Sequence, residues 1–469
     1  MPENRRPRNI VWITTDHMRY DSVGANGNPA IRTPNLDRLA RDGVSLEQCY
    51  AQNPVCMPSR VSFMTGQYPC RTGVLSNGPA FPPERGPTCA EIFRGAGYLT
   101  AQLGKLHFEP HMETDLDPEP ARRYGFDYMA LSEEPGSYDD AHMRWLRANH
   151  PEYVDVMRVP RPIQRAASGG SFAGWTVEAP GEVSHSGFAA SAAMDVLAMG
   201  RRTFAHVGMY APHPPLNPPR EIYELYEDVD LPAPQRREGE GADKPPPLSS
   251  FLRHHEGVTD EAWAERRRYF YAMCTLVDRQ VGRLLGFLED RGELDDTLIL
   301  FMSDHGDMDG DHGMIGKQAS FYEDVMRLPV ILHWPAGLEG GQRPDDLVEA
   351  VDLLPTLCDL AGVPVPPEVQ GRSIAPQLMG EEGEPRQDAL AMHGAPFGPI
   401  CAMLRSADTN YIRYGPGAEV LYNLAEEPGE YTNHAGDESY ADRLHAARER
   451  LLQRMLEAAG SGLRSYRRY

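Results

Sequence analysis

Two short apolar runs end in the same polar pair, and that limits the folds open to the chain. Asn9 to Thr14 (NIVWIT) is followed by Thr15-Asp16-His17, and Thr297 to Met302 (TLILFM) by Ser303-Asp304-His305. Neither run alternates with polar residues, the pattern of strands buried on both faces. Gly97 to Leu103 leads into Lys105 and His107, Thr203 to Met209 leads into Tyr210 and His213, and Met326 to Trp334 supplies a further strand. Helical spacing lies between them. Thr33 to Gly43 carries Leu36, Leu39 and Ala40 and ends in glycine; Glu261 to Arg291 is the longest such stretch, with Trp263, Phe270, Leu276, Val277, Val281, Leu284, Leu285 and Leu288. The alternation predicts an α/β fold, a large, mostly parallel sheet flanked by helices on both faces. Ligands of such sheets bind beyond the carboxyl ends of the strands. Four of the strands read here end in ionisable groups.

The acidic balance excludes other classes. Lys plus Arg number 46 against 68 Asp plus Glu, a net charge of −22. Nucleic-acid binding needs a basic footprint, and an anionic membrane surface would repel such a chain. No apolar run is long enough to span a bilayer, and the six apolar residues after the polar N-terminus are too few for a signal-peptide core, so a cytoplasmic location is expected. Cys49, Cys56, Cys70, Cys89, Cys274, Cys358 and Cys401 form no regular framework, which agrees with a reducing compartment. Residues 132–185 and 228–250 read as polar, Gly/Pro-rich insertions. Gly380 to Gln387 reads as a boundary between a catalytic domain, 1–380, and a small C-terminal α+β domain, 381–469, with strands at Ala389–Met392, Ala402–Arg405, Tyr411–Tyr414 and Glu419–Asn423 and a helix at Ser439–Ala458.

The segment Asn53-Pro-Val-Cys56-Met-Pro58-Ser59-Arg60 carries the chemistry. Pro58 suits a first helical turn, so Cys56 would sit at a helix N-terminus, where free N–H groups and the dipole favour an anion. Arg60 adds a planar fork for an oxyanion. Cys-x-Pro-x-Arg resembles the modification motif of the type I sulfatases, in the alkaline phosphatase superfamily. The resemblance extends over nearly the whole chain: Asp16, TPNLDRLA from Thr33, Thr65-Gly66-Gln67-Tyr68-Pro69, Gly104-Lys105-x-His107, Pro212-His213-x-Pro215, Ser303-Asp304-His305-Gly306, Gly316-Lys317, Val351-Asp352, and Leu421-Tyr422-Asn423 with Glu430 and Asn433 all recur in the family's order.

The resemblance implies that Cys56 is oxidised to formylglycine by a formylglycine-generating enzyme, and that its hydrate attacks the sulfur of a small sulfate ester. It implies one divalent cation held by Asp16, His17, the position-56 side chain, Asp304 and His305. The family's commoner pattern has Asp at the place of His17 and Asn at that of His305. Calcium is expected first, as the resemblance implies, although the two imidazoles suit manganese or zinc better, and manganese second; His17 could instead stand behind the ligands. The family places Lys105, His107, His213 and Lys317 around the sulfate, with His213 as proton donor to the leaving oxygen and His107 as base for sulfate release. Asn77 is a further candidate substrate contact, or a plain turn residue. The run Asp307-x-Asp309-Gly310-Asp311 is not a calcium loop of the EF-hand type, since His312 and Gln318 stand where Gly and Glu are required.

A phosphonate monoester or phosphodiester hydrolase of the same superfamily is the rival reading. A His at the place of His305 occurs in that branch, but it resembles Tyr and Thr at the places of Lys105 and His107. A non-catalytic protein on the same scaffold, and a Cys56 thiolate nucleophile, are the remaining alternatives. Sequence says nothing of the oligomeric state.

Overall fold

The computed structural model describes residues 6–110, 124–137, 139–159, 174–246, 248–249, 255, 257–317, 320–394, 400–415 and 417–460. Residues 1–5, 138 and 160–173 of the first insertion, 247 and 250 of the second, and Gln318 lie outside that set. Among the described residues no helix is long and apolar enough to cross a membrane.

Eight strands form the large sheet: β1 Asn9–Asp16, β2 Val44–Tyr50, β3 Leu99–Gly104, β4 Tyr128–Leu131, β5 Thr203–Pro212, β6 Thr297–Ser303, β7 Arg327–His333 and β8 Leu347–Glu349. Their order is β4-β3-β5-β1-β6-β7-β2-β8. Only β7 breaks the parallel pattern, running antiparallel to β6 and β2. The expected strands are present, shifted by one to three residues at their ends. Three were not legible. β2 (VSLEQCY) keeps Glu47 and Gln48 half-buried and slips register between Leu46 and Cys49, so it shows neither alternation nor a clean apolar run. β4 and β8 are too short for a pattern.

The central strands bury both faces, with a period of two. Ile10 and Trp12 of β1 and Leu298, Leu300 and Met302 of β6 point into one core layer. Val11, Ile13, Ile299 and Phe301 point into the other. Helices α1 (Pro34–Asp42), α4 (His185–Ala198) and α5 (Asp260–Asp290) cover the second layer; α2 (Cys56–Thr65), α3 (Cys89–Gly95) and α6 (Leu353–Leu360) cover the first. Beyond Gly380 lie β9 Asp388–Gly394, β10 Ile400–Ser406, β11 Thr409–Tyr414 and β12 Ala418–Asn423, an antiparallel sheet ordered β12-β11-β10-β9, and helix α7, Ala441–Gly460. Alternate residues of this sheet divide between the large core (Ala391, Met403, Ile412, Tyr422) and α7 (Leu390, Met392, Leu404, Leu421 against Leu444, Ala447 and Leu451).

The sheet closes tightly where β3 and β5 approach the site. The Lys105 amide donates to the Gly208 carbonyl at 2.8 Å. A Cβ on Gly208 would lie 1.9 Å from the Lys105 carbonyl oxygen. Glycine is required here because the three nearest atoms to that Cβ are all Lys105 backbone. G208A is therefore expected to cost about 2–3 kcal/mol of stability and to shift Lys105. Calorimetric unfolding checks it; an unchanged Tm would mean that the strands part without cost.

Candidate active site

Helix α2 begins at Cys56, and all ten of its residues are buried, so its N-terminus opens inside the protein rather than at the surface. Asn53 Oδ1 accepts from the Val55 amide at 2.9 Å, and Asn77 Oδ1 accepts from the Met57 amide at 3.0 Å. Asn77 thus satisfies one of the free N–H groups of the first turn, which accounts for a polar residue at this place whether or not it also touches substrate.

The parallel register of β1 and β6 pairs Thr15 with Ser303, so the polar residues after each strand emerge side by side. Asp16, His17, Cys56 and His305 each offer one ligand atom within 4.8 Å of the others, and all four are buried. Cys56 Sγ lies 3.2 Å from His305 Nε2, 3.6 Å from Asp16 Oδ1 and 2.8 Å from Lys317 Nζ. Asp304 adjoins this group: its Oδ1 accepts the His305 amide at 2.9 Å and its Oδ2 the Arg60 Nε–H at 2.7 Å. Arg60 reaches across to Asp16 Oδ2 at 3.5 Å, and Lys105 Nζ stands 2.7 Å from the same oxygen.

These charges have no exposed surface to relieve them, so they set one another's protonation. Burial pushes the Asp16 carboxyl up, but Lys105, His213, Lys317 and Arg60 together hold it well below the usual carboxylate range. Burial opposes the Lys105 ammonium, and Asp16 and Cys56 together more than offset it, leaving its pKa above the ordinary lysine value. Burial also lowers His305 and His213, so both are neutral in the ligand-free protein. His213 Nδ1 donates to the Pro214 carbonyl at 2.6 Å, which leaves Nε2 for chemistry. Its ring centroid lies 4.4 Å from that of His17 and 4.5 Å from Tyr210, and Lys105 Nζ sits 4.6 Å over the Tyr210 ring.

Structure therefore gathers Asp16, His17, Cys56, Arg60, Lys105, His213, Asp304, His305 and Lys317 at one point, with Asn77 at the helix start. His107 follows Lys105 on the same turn, in the left-handed region at φ 58°. Its amide and that of Leu106 donate to Glu133 Oε1, at 2.9 and 3.3 Å. The sequence reading missed Glu133, Tyr210 and Asp307. Only Asp307 carried a signal, the unexplained Asp-rich run.

Glu133 gives a pH test. Burial pushes its carboxyl up to about 7, against the opposing backbone bonds and the charges of Lys105 and Arg60. A carboxyl raised in the folded state contributes stability that is present below its unfolded pKa of about 4.3 and is lost as pH rises through its folded value. E133Q is expected to flatten the fall in Tm between pH 5 and pH 8 while keeping the acceptor oxygen. An unaltered Tm–pH slope in thermal melts would remove Glu133 as its source.

Comparisons with known proteins converge on one family. The family model "Sulfatase" matches residues 8–363, and "N-sulphoglucosamine sulphohydrolase, C-terminal" matches residues 310–457. An arylsulfatase of Clostridium perfringens is 28% identical, over 95% of this chain and 94% of its own. A choline-sulfatase of Rhizobium meliloti is 30% identical over 91% and 82%. Among solved structures, a phosphonate monoester hydrolase of Agrobacterium radiobacter superposes with a TM-score of 0.83 at 27% identity, covering 97% of this chain and 96% of that one. With a family model spanning well over half of its residues, this chain belongs to the sulfatase family.

Proposed function

We propose that the protein hydrolyses small sulfate monoesters, through a formylglycine made from Cys56 and one divalent cation. The observation that carries the reading is the convergence on the buried Cys56 Sγ of the half-buried Lys317 ammonium and the buried His305 imidazole and Asp16 carboxylate, at 2.8, 3.2 and 3.6 Å. A hydroxyl nucleophile at position 56 would need both a cation and a nearby base, and the cluster offers groups for both.

The donor set fits a divalent cation: carboxylate oxygens from Asp16 and Asp304, the His305 Nε2, and the side chain at position 56. Calcium is the first expectation and manganese the second. When bound, the cation would polarise a sulfuryl oxygen and acidify the nucleophilic hydroxyl. The rest of the chemistry belongs to the chain. Arg60 and Lys105, both buried, and the half-buried Lys317 would present donors to the sulfate oxygens. His213, held by Pro214 through Nδ1, would take a proton on Nε2 once the substrate's negative charge is beside it and pass it to the leaving oxygen. His107, on the turn fixed by Glu133, is the candidate base for sulfate release. Residues 1–380 carry every one of these groups, and we assign residues 381–469 to a small appended domain. The seven cysteines are unpaired, which supports a reducing, cytoplasmic setting.

Lys105 and His107 favour sulfate over the phosphonate esters of the superfamily's other branch. The superposition on a phosphonate monoester hydrolase and the presence of His305 favour the second reading.

Peptide mass spectrometry tests the modification directly. The Cys56 peptide is expected about 18 Da lighter than its thiol form when produced beside a formylglycine-generating enzyme. Only unmodified Cys56 in that material would remove the mechanism. A further outcome follows from burial. Cys56 is 1% exposed and Arg60 0%, so adding the modifying enzyme to folded, unmodified protein is expected to convert none of it, whereas an unfolded peptide of residues 50–65 would be converted. Conversion of the folded protein would contradict the closed helix start.

A further inference from the structure

A chain of hydrogen bonds reaches the nucleophile position from Asp307, a residue outside the cluster described so far. Asp307 Oδ2 lies 2.6 Å from His17 Nδ1, His17 Nε2 lies 2.7 Å from Lys317 Nζ, and Lys317 Nζ lies 2.8 Å from Cys56 Sγ. An ionised carboxylate only accepts, so the proton between Asp307 and His17 sits on Nδ1. An ammonium only donates, so Nε2 is bare and accepts from Lys317. The two partners together select one neutral tautomer of His17. A lone pair that receives a Lys317 hydrogen is not available to a cation.

Asp307 acts on the same lysine by a second route. Its Oδ1 accepts the amide of Gly316, the residue before Lys317, at 3.0 Å, and that of Asp309 at 2.8 Å. One carboxylate therefore holds the backbone that carries Lys317 and the imidazole that receives its side chain. Arg266 of α5 stands 3.3 Å from Oδ1, and Asp307 is fully buried. His17 is itself held at φ 70°. Such a conformation in a non-glycine residue costs about 1–3 kcal/mol and persists where the surroundings over-determine it.

We propose that Asp307 and His17 are a positioning pair for Lys317, aiming its ammonium at the position-56 side chain, and that His17 serves this clamp rather than the cation. The inference rests on the sulfatase reading for what the aimed ammonium does, namely neutralise charge on the transferring sulfuryl group.

The sequence supplies a clean probe, because the chain has only three lysines, Lys105, Lys244 and Lys317. [15N]lysine labelling of the full-length protein gives three ammonium signals, and K317A assigns the one in question. D307N keeps the shape, and its one amide oxygen is expected to stay with the Asp309 and Gly316 amides, which leaves an NH2 donor facing His17 Nδ1. The imidazole then carries its hydrogen on Nε2, facing the ammonium. The Lys317 signal is expected to shift and lose its protection from exchange, with those of Lys105 and Lys244 unmoved. In D307N and H17A, kcat/KM for 4-nitrophenyl sulfate is expected to fall roughly 100-fold. The H17A/K317A double variant is expected within about threefold of K317A, since paired residues are not additive. Competition with a fluorescent chelator is expected to give Ca2+ and Mn2+ affinities for H17A within about threefold of the parent.

Loss of about tenfold or more in metal affinity in H17A, the size seen when a residue holds the cation or supports its ligands, would overturn the proposal. So would an unmoved Lys317 signal, or losses that multiply in the double variant. If D307N does not fold, H17A gives the same readings with Asp307's backbone bonds in place. A parent that hydrolyses no sulfate ester would sink the functional reading, while the lysine signals would still decide the contact.

Discussion

C56A is expected to lower kcat/KM for an aryl sulfate by about 10^4-fold or more, with little change in Tm. Removing a covalent nucleophile costs that much when the remaining groups only bind and polarise. The fold has no reason to fail. Cys56 is the first residue of α2, its side chain faces the site, and the core is built by Met57, Val61, Phe63 and Met64. Alanine keeps the helix start, and Asn77 still receives the Met57 amide. Steady-state rates and thermal melts on the same preparation check both halves. Residual activity within tenfold of the parent would mean that another group attacks.

Removing the cation is expected to lower turnover by about 10^3-fold or more, the several kcal/mol that a Lewis acid supplies to developing charge. Calcium or manganese should restore it. The cation is expected to neutralise Asp16 and Asp304 only in part. In the structure each carboxylate also has its own partner, Lys105 at 2.7 Å and Arg60 at 2.7 Å. Chelation is therefore expected to leave the site assembled, with unchanged circular dichroism and a modest fall in Tm, so that the loss is one of chemistry. Activity that survives exhaustive chelation, confirmed by elemental analysis, would contradict the role given to Asp16, Asp304 and His305.

Much of this site is legible in the sequence because its residues lie at strand ends and in one helix turn. Asp16 and His17, Asp304 and His305, and Lys105 follow apolar runs whose identity as buried strands is plain, and parallel pairing then brings their ends together. Cys56 and Arg60 are one helical turn apart, so local geometry sets their relation. The contacts that hold these groups are not legible, for a physical reason. Glu133 meets the Leu106 and His107 amides only because β4 lies beside β3, and β4 is four residues long with no pattern. Asp307 meets His17 across 290 positions of sequence and closes its loop onto Gly316. Its Asp-rich surroundings offer a calcium loop to reject but no positive signal for what it does. β2 escapes notice for a similar reason: its half-buried Glu47 and Gln48 hide a strand that tertiary contacts define.

The central claim is that this site transfers a sulfuryl group. It is tested most directly by kcat/KM for 4-nitrophenyl sulfate against an aryl phenylphosphonate monoester, on one preparation with its cation in place. The charges of Lys105 and Lys317 and the presence of His107 predict the larger value for the sulfate. A preference for the phosphonate by orders of magnitude would contradict the account and move the chain to the other branch of the superfamily.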